Sequence, residues 1–106
     1  MPFIEYDGNQ IETDADGFIT DPTLWNEELA KAIAEQEEGI TELSDDHWTV
    51  IRYLNAYYGE NLIAPMVRLL CKETGFKLKY IYELFPSGPA RGACKVAGLP
   101  KPTGCV

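Results

Sequence analysis

A chain of 106 residues with 45% apolar residues is long enough for one hydrophobic core and short for two. No apolar run approaches the length of a membrane-spanning helix, and a net charge of −8 argues against a body that binds nucleic acid. Three cysteines, an odd and small number, do not fit a secreted scaffold stapled by disulfides.

The first residues, Met1-Pro2-Phe3-Ile4-Glu5-Tyr6-Asp7, have neither the basic nor the apolar region of a signal peptide, so a cytoplasmic location is expected. Phe3–Tyr6 and Gln10–Thr13 flank Asp7-Gly8, a dipeptide suited to a tight hairpin turn. A second turn is expected at Asp14–Gly17, followed by a short extended segment at Phe18–Thr20. Residues 12–23 partly imitate a calcium loop, but Thr23 stands where a bidentate carboxylate is needed. An aspartate-glycine turn is the better reading.

Asp21-Pro22 reads as a helix start, with Asp21 as the cap and Pro22 in the first turn. Leu24, Trp25, Leu29, Ala32 and Ile33 follow at helical spacing, and Gly39 is the expected stop. Ser44 opens the next helix, with Asp45 and Asp46 at its positive end and Trp48, Ile51, Leu54, Tyr57 and Tyr58 on its apolar side. Gly59 is expected to end it. A third helix is expected over 62–74, with Met66, Leu69 and Leu70 inward. Leu78, Ile81, Tyr82 and Phe85 predict a fourth helix that stops before Pro86.

Pro86-Ser87-Gly88-Pro89 is a breaker cluster, after which Pro89–Ala97 is expected to form a two-turn helix carrying Cys94. The fold expected is mainly α: a small N-terminal β-hairpin, a helical bundle resembling a helix-turn-helix, and a flexible C-terminal arm. The body is assigned to residues 1–85 and the arm to 86–106. Charge divides at the same place. Residues 1–85 hold all 17 acids and six Lys or Arg, a net −11, whereas 86–106 hold Arg91, Lys95 and Lys101 and no acid, a net +3.

The chemistry is concentrated in that second stretch. Cys105 is the penultimate residue, and ten residues separate it from Cys94. Extended, the eleven steps between them span at most about 36–40 Å. Folded back, the same loop closes at a cost of a few kcal/mol. Gly98 and Gly104 permit the bends. Arg91, Lys95 and Lys101 are expected to lower the pKa of a nearby thiol, an effect that the Val106 carboxylate opposes at Cys105. The pair reads either as a redox or sulfur-transfer couple or as two incidental thiols. Cys71, mid-helix among Leu69 and Leu70, reads as a small hydrophobe.

The three cysteines and His47 lack the short spacing of a zinc site, so no metal is expected, and His47 reads as a surface or capping residue. Lys72, Lys77 and Lys79 form a small basic cluster, but a body charge near −11 argues against DNA binding. There is no phosphate loop, no nucleotide fingerprint and no Ser/His/acid set. The chain lacks the apparatus of a self-sufficient enzyme.

The segment from Leu84 to Val106, with Phe85-Pro86-Ser87-Gly88-Pro89 leading to Cys94 and then Cys105, closely resembles the DsrC/TusE family. In that family the members acting in tRNA thiolation typically keep only the cysteine near the terminus. Both are present here, which points to the branch that serves dissimilatory sulfite reductase. The resemblance implies a sulfur-carrier protein, a co-substrate and not an autonomous catalyst. Cys105 would be the delivered end and Cys94 its partner, joined through a trisulfide that is later reduced to release sulfide. It implies as partners the catalytic alpha and beta subunits of the reductase, which hold siroheme and iron–sulfur clusters, and a membrane-bound electron-transfer complex. No cofactor is expected on this chain, no membrane insertion, and a monomeric free form. The alternatives are a sulfurtransferase relay for tRNA 2-thiouridine modification and a DNA-binding helix-turn-helix regulator.

Overall fold

The computed structural model describes residues 3–100. Two strands, β1 (Phe3–Tyr6) and β2 (Asn9–Glu12), pair antiparallel with Ile4 opposite Ile11. Asp7 and Gly8 both have positive φ, 50° and 78°, the twist that joins two strands through a two-residue turn. The free edge of β1 is covered by the first helix. Gln36 accepts from the Glu5 N–H at 3.1 Å and donates to its carbonyl at 2.7 Å. Thr13 bridges Ile19, and the Asp14 carboxylate accepts from the N–H groups of Asp16 and Phe18 across the expected aspartate-glycine turn.

The helix expected from Asp21-Pro22 is split. Asp21 caps only a single 3-10 turn, Pro22–Leu24. The chain then turns extended at Trp25 (ψ 138°), and Asn26 caps the longer helix α1 (Glu27–Glu38) by accepting from Leu29 N–H at 2.8 Å. Helical spacing did not reveal this break, because Trp25 is turned toward the carboxyl-terminal segment. Gly39 ends α1 at φ 70°, as expected.

Helix α2 (Asp45–Asn61) begins at Ser44, and His47 completes a reciprocal cap: its backbone is held by Ser44 Oγ while its Nδ1 accepts from Ser44 N–H at 3.0 Å. The helix runs through Gly59, the expected stop, to end at Leu62, which takes a left-handed conformation (φ 60°). A glycine inside a helix costs about 1 kcal/mol, which the packing of the remaining apolar side overrides. Helix α3 is therefore shorter than expected, Val67–Thr74, and Met66 stands before it with 62% of its surface exposed, not inward. Leu70 is buried as expected. Helix α4 (Leu78–Leu84) stops two residues before Pro86.

After the tight turn at residues 85–88, a π-helical turn (Pro89–Ala93) continues into a last helical turn, α5 (Cys94–Val96), which ends at Ala97 and is followed by Gly98 at φ 77°. Ala93, Cys94, Val96, Ala97 and Leu99 belong to the same core as Ile4, Leu29, Ile33, Ile51 and Phe85. The described part of the stretch assigned to the arm is thus packed, through Leu99, against α1 and α2. Its small residues explain why the sequence does not announce it: Gly92, Ala93 and Ala97 bury little area each but let backbone approach closely. Among the described residues, no helix is long and apolar enough to cross a membrane.

Candidate functional site

Cys94 opens α5 with only 3% of its surface exposed. Burial pushes its thiol up to about 12. The cations beside it in sequence do not oppose this, contrary to the expectation that they would lower it. Arg91 points to Asp16, with Nη1 3.8 Å from Oδ1. Lys95 lies inward, its side chain only 10% exposed, with Nζ 3.5 Å from Glu37 Oε1 and 5.5 Å from the centre of the Phe18 ring. Both cations are committed to carboxylates, so desolvation decides the state of Cys94. It is held as a neutral thiol.

Three further contacts fix the turn that carries it. Glu38 takes both Ser87 donors, N–H at 2.9 Å and Oγ–H at 2.7 Å. Trp25 donates its indole N–H to the Val96 carbonyl at 2.9 Å. Gly98 lies flat against the same indole; a Cβ there would stand 2.2 Å from Trp25 Cδ1. The Leu99 N–H then donates to the Cys94 carbonyl at 3.1 Å. The chain therefore leaves the core beside the backbone of Cys94.

Gly98, expected as a hinge of the arm, is a buried left-handed residue packed against Trp25, just after the cap of α5. Lys101, Gly104 and Cys105 lie outside the described residues. Since Leu99 is anchored, covalent geometry allows Cys105 at most about 20–22 Å from it, six extended steps, and not the longer span counted from Cys94. Cys71 sits in α3, half-buried against the core. Its contacts are those of a small apolar residue. Among the described residues, no group of three or more His, Cys, Asp and Glu is gathered closely enough to hold a metal ion.

Trp25, Glu37 and Glu38 were missed as partners of the residues that flank Cys94. One signal was present: α1 ends in Glu35, Gln36, Glu37 and Glu38 with no cation in its last turn, the unfavourable arrangement for the helix dipole.

The packed turn and its cysteine lie within the region matched by the family model described as DsrC like protein, which covers residues 5–106. The chain is 55% identical over 106 residues, 100% of both chains, to the gamma subunit of dissimilatory-type sulfite reductase of Nitratidesulfovibrio vulgaris. It is 44% identical over 110 residues, covering 97% of this chain and 99% of the other, to the sulfurtransferase TusE of Yersinia pestis. The crystal structure of the oxidised gamma subunit (DsrC) from Archaeoglobus fulgidus superposes with a TM-score of 0.87 at 46% identity, over 99% of this chain and 100% of that one. A family model that spans residues 5–106 and relatives matched over nearly all of both chains place it: the chain belongs to the DsrC-like family.

Proposed function

We propose that this protein is a sulfur carrier for dissimilatory sulfite reduction, acting as co-substrate of the catalytic alpha and beta subunits in the cytoplasm, with Cys105 as the receiving thiol and Cys94 as its partner. The observation that carries the reading is the 3.1 Å bond from Leu99 N–H to the Cys94 carbonyl. It roots the segment that bears Cys105 next to Cys94. A terminal thiol tethered there meets the other thiol at high effective concentration when the segment folds back, and reaches about 20 Å away when it extends.

The reductase supplies two electrons, and sulfite sulfur at that oxidation level condenses with two thiols. Two new sulfur–sulfur bonds form, and the sulfite oxygens leave as water with the thiol protons and four more from solvent. The product is a trisulfide between Cys105 and Cys94. A membrane-bound electron-transfer complex then supplies four electrons and four protons, which restore both thiols and release hydrogen sulfide. This chain contributes the two sulfurs and their tether. Cys94 stays protonated until it is needed, which protects it from side reactions of a free thiolate.

The test is intact mass after incubation with sulfite, reductant and the catalytic subunits. Wild type gains one sulfur and loses two hydrogens, and Cys105→Ala does not. Sulfur bridged to Cys94 in Cys105→Ala would overturn the reading. The relatives named as sulfurtransferase TusE support a second reading, a relay for tRNA thiolation. In that pathway Cys105 alone suffices, so Cys94→Ala retains full tRNA thiolation; loss of thiolation in that variant would exclude the relay.

A further inference from the structure

The last turn of α1 breaks a local rule. Glu35, Glu37 and Glu38 crowd the negative end of the helix dipole with no cation in that turn. Two of these carboxylates are used outside the helix, on either side of Cys94. Glu38 holds Ser87 by two hydrogen bonds, and a Cβ on Gly92 would stand 2.5 Å from its Oε1. Glu37 meets the inward Lys95, and its Oε1 lies so close to Gly17 that a Cβ there would come within 2.0 Å. Glycines at 17 and 92 make room for carboxylates that the turn requires.

We propose that Glu37 and Glu38 are positioning residues that latch the turn carrying Cys94 onto the end of α1, and so set how readily the Cys94 sulfur is exposed for bond formation. The inference rests on the reading of Cys94 as the partner of Cys105, because a thiol that must form a bond cannot stay sealed in the core. The choice of polar contacts has a physical consequence. When the turn lifts, the inward Lys95 regains water, while Glu37 and Glu38, already in contact with solvent, lose little by letting go. The turn also buries Ala93, Val96 and Leu99 in the core, so the two carboxylates set one part of its closure, a part that can be weakened locally while the body stays folded. The same contacts make closure specific, since an inward Lys95 with no Glu37 opposite it has no other anion at ion-pair distance among the described residues.

The test uses the full chain carrying Cys71→Ser and Cys105→Ser, so that Cys94 is its one thiol. The rate of Cys94 alkylation by iodoacetamide is followed by mass at one fixed pH, with urea unfolding of each variant alongside. Glu37→Gln and Glu38→Ala should each raise the alkylation rate at least about tenfold more than their change in global stability accounts for. Adding Lys95→Met to Glu37→Gln should return the rate close to that of the parent, because the unpaired charge is gone and the stem still fills its place. Leu54→Ala, a core variant remote from the latch, should raise the rate only in step with global unfolding. The latch is overturned if the Glu37 and Glu38 variants leave the rate unchanged, or if they follow the same line as Leu54→Ala and Lys95→Met gives no rescue. No sulfur transfer is involved in this readout, so it fails or succeeds independently of the carrier reading, which the mass experiment with sulfite decides.

Discussion

The indole N–H of Trp25 donates to the carbonyl of Val96 at 2.9 Å, joining residues 71 positions apart. This bond ties the break before α1 to the turn that follows Cys94. Trp25→Phe keeps most of the ring and leaves the Val96 carbonyl without its partner. It should cost about 1–3 kcal/mol. Urea unfolding measures the loss, and hydrogen exchange should quicken first at the amides of Ala97, Gly98 and Leu99.

Gly98→Ala meets two penalties at once. Its φ of 77° disfavours a side chain, and the new Cβ would collide with Trp25. The left-handed conformation alone costs about 1–2 kcal/mol. The melting temperature should fall by more than the roughly 4–8 °C that one kcal/mol gives in a domain near this size. In a double-mutant cycle the cost of Gly98→Ala should be smaller when measured in a Trp25→Ala background, since the collision is then gone and only the backbone strain is left.

The Cys94 thiol should be slow to react. With its pKa pushed from 9.0 to about 12, its thiolate fraction at pH 8 lies about a thousandfold below that of an ordinary thiol. The sign of the pH dependence follows. Below pH 9 the thiol is protonated in both folded and unfolded chains and makes no difference. From pH 9 toward 12 the unfolded chain ionises and the folded one does not, so stability falls as pH rises through that window. Cys94→Ala should lose less stability than wild type between pH 8 and 10.5, as read by urea unfolding in reductant.

His47→Ala should destabilise the fold by about 1–2 kcal/mol. The ring accepts from Ser44 N–H at 3.0 Å, lies 2.8 Å from the Leu84 carbonyl through Nε2, and stands edge-on to Phe85 with centroids 5.2 Å apart. His47→Gln, which can still reach back to the cap, should lose less than the alanine. Thermal unfolding of the two variants makes the comparison.

Much of the scaffold was legible in residue order. Asp7-Gly8, Gly39, Ser44 and Pro86 act locally, through backbone preferences and caps that need no distant partner, and each stands where expected. Misreadings came where tertiary contacts overrode those preferences. Gly59 did not end α2, and Met66 did not face inward. Asp21-Pro22 capped one turn and not a helix, because Trp25 had to leave the helical path to reach Val96.

For the site, the spacing of Cys94 and Cys105, the lead-in Phe85-Pro86-Ser87-Gly88-Pro89 and the basic character after residue 86 were properties of the sequence alone, and they were enough to identify the family. The state of Cys94 was not. Counting charges along the chain placed Arg91 and Lys95 beside a thiol and implied a lowered pKa. In three dimensions those cations turn to Asp16 and Glu37, and burial dominates. Linear order determines which groups are near in sequence. Only the packing of α1 against the last turns decides which of them share a low-dielectric interior, and there desolvation outweighs charges already paired with something else.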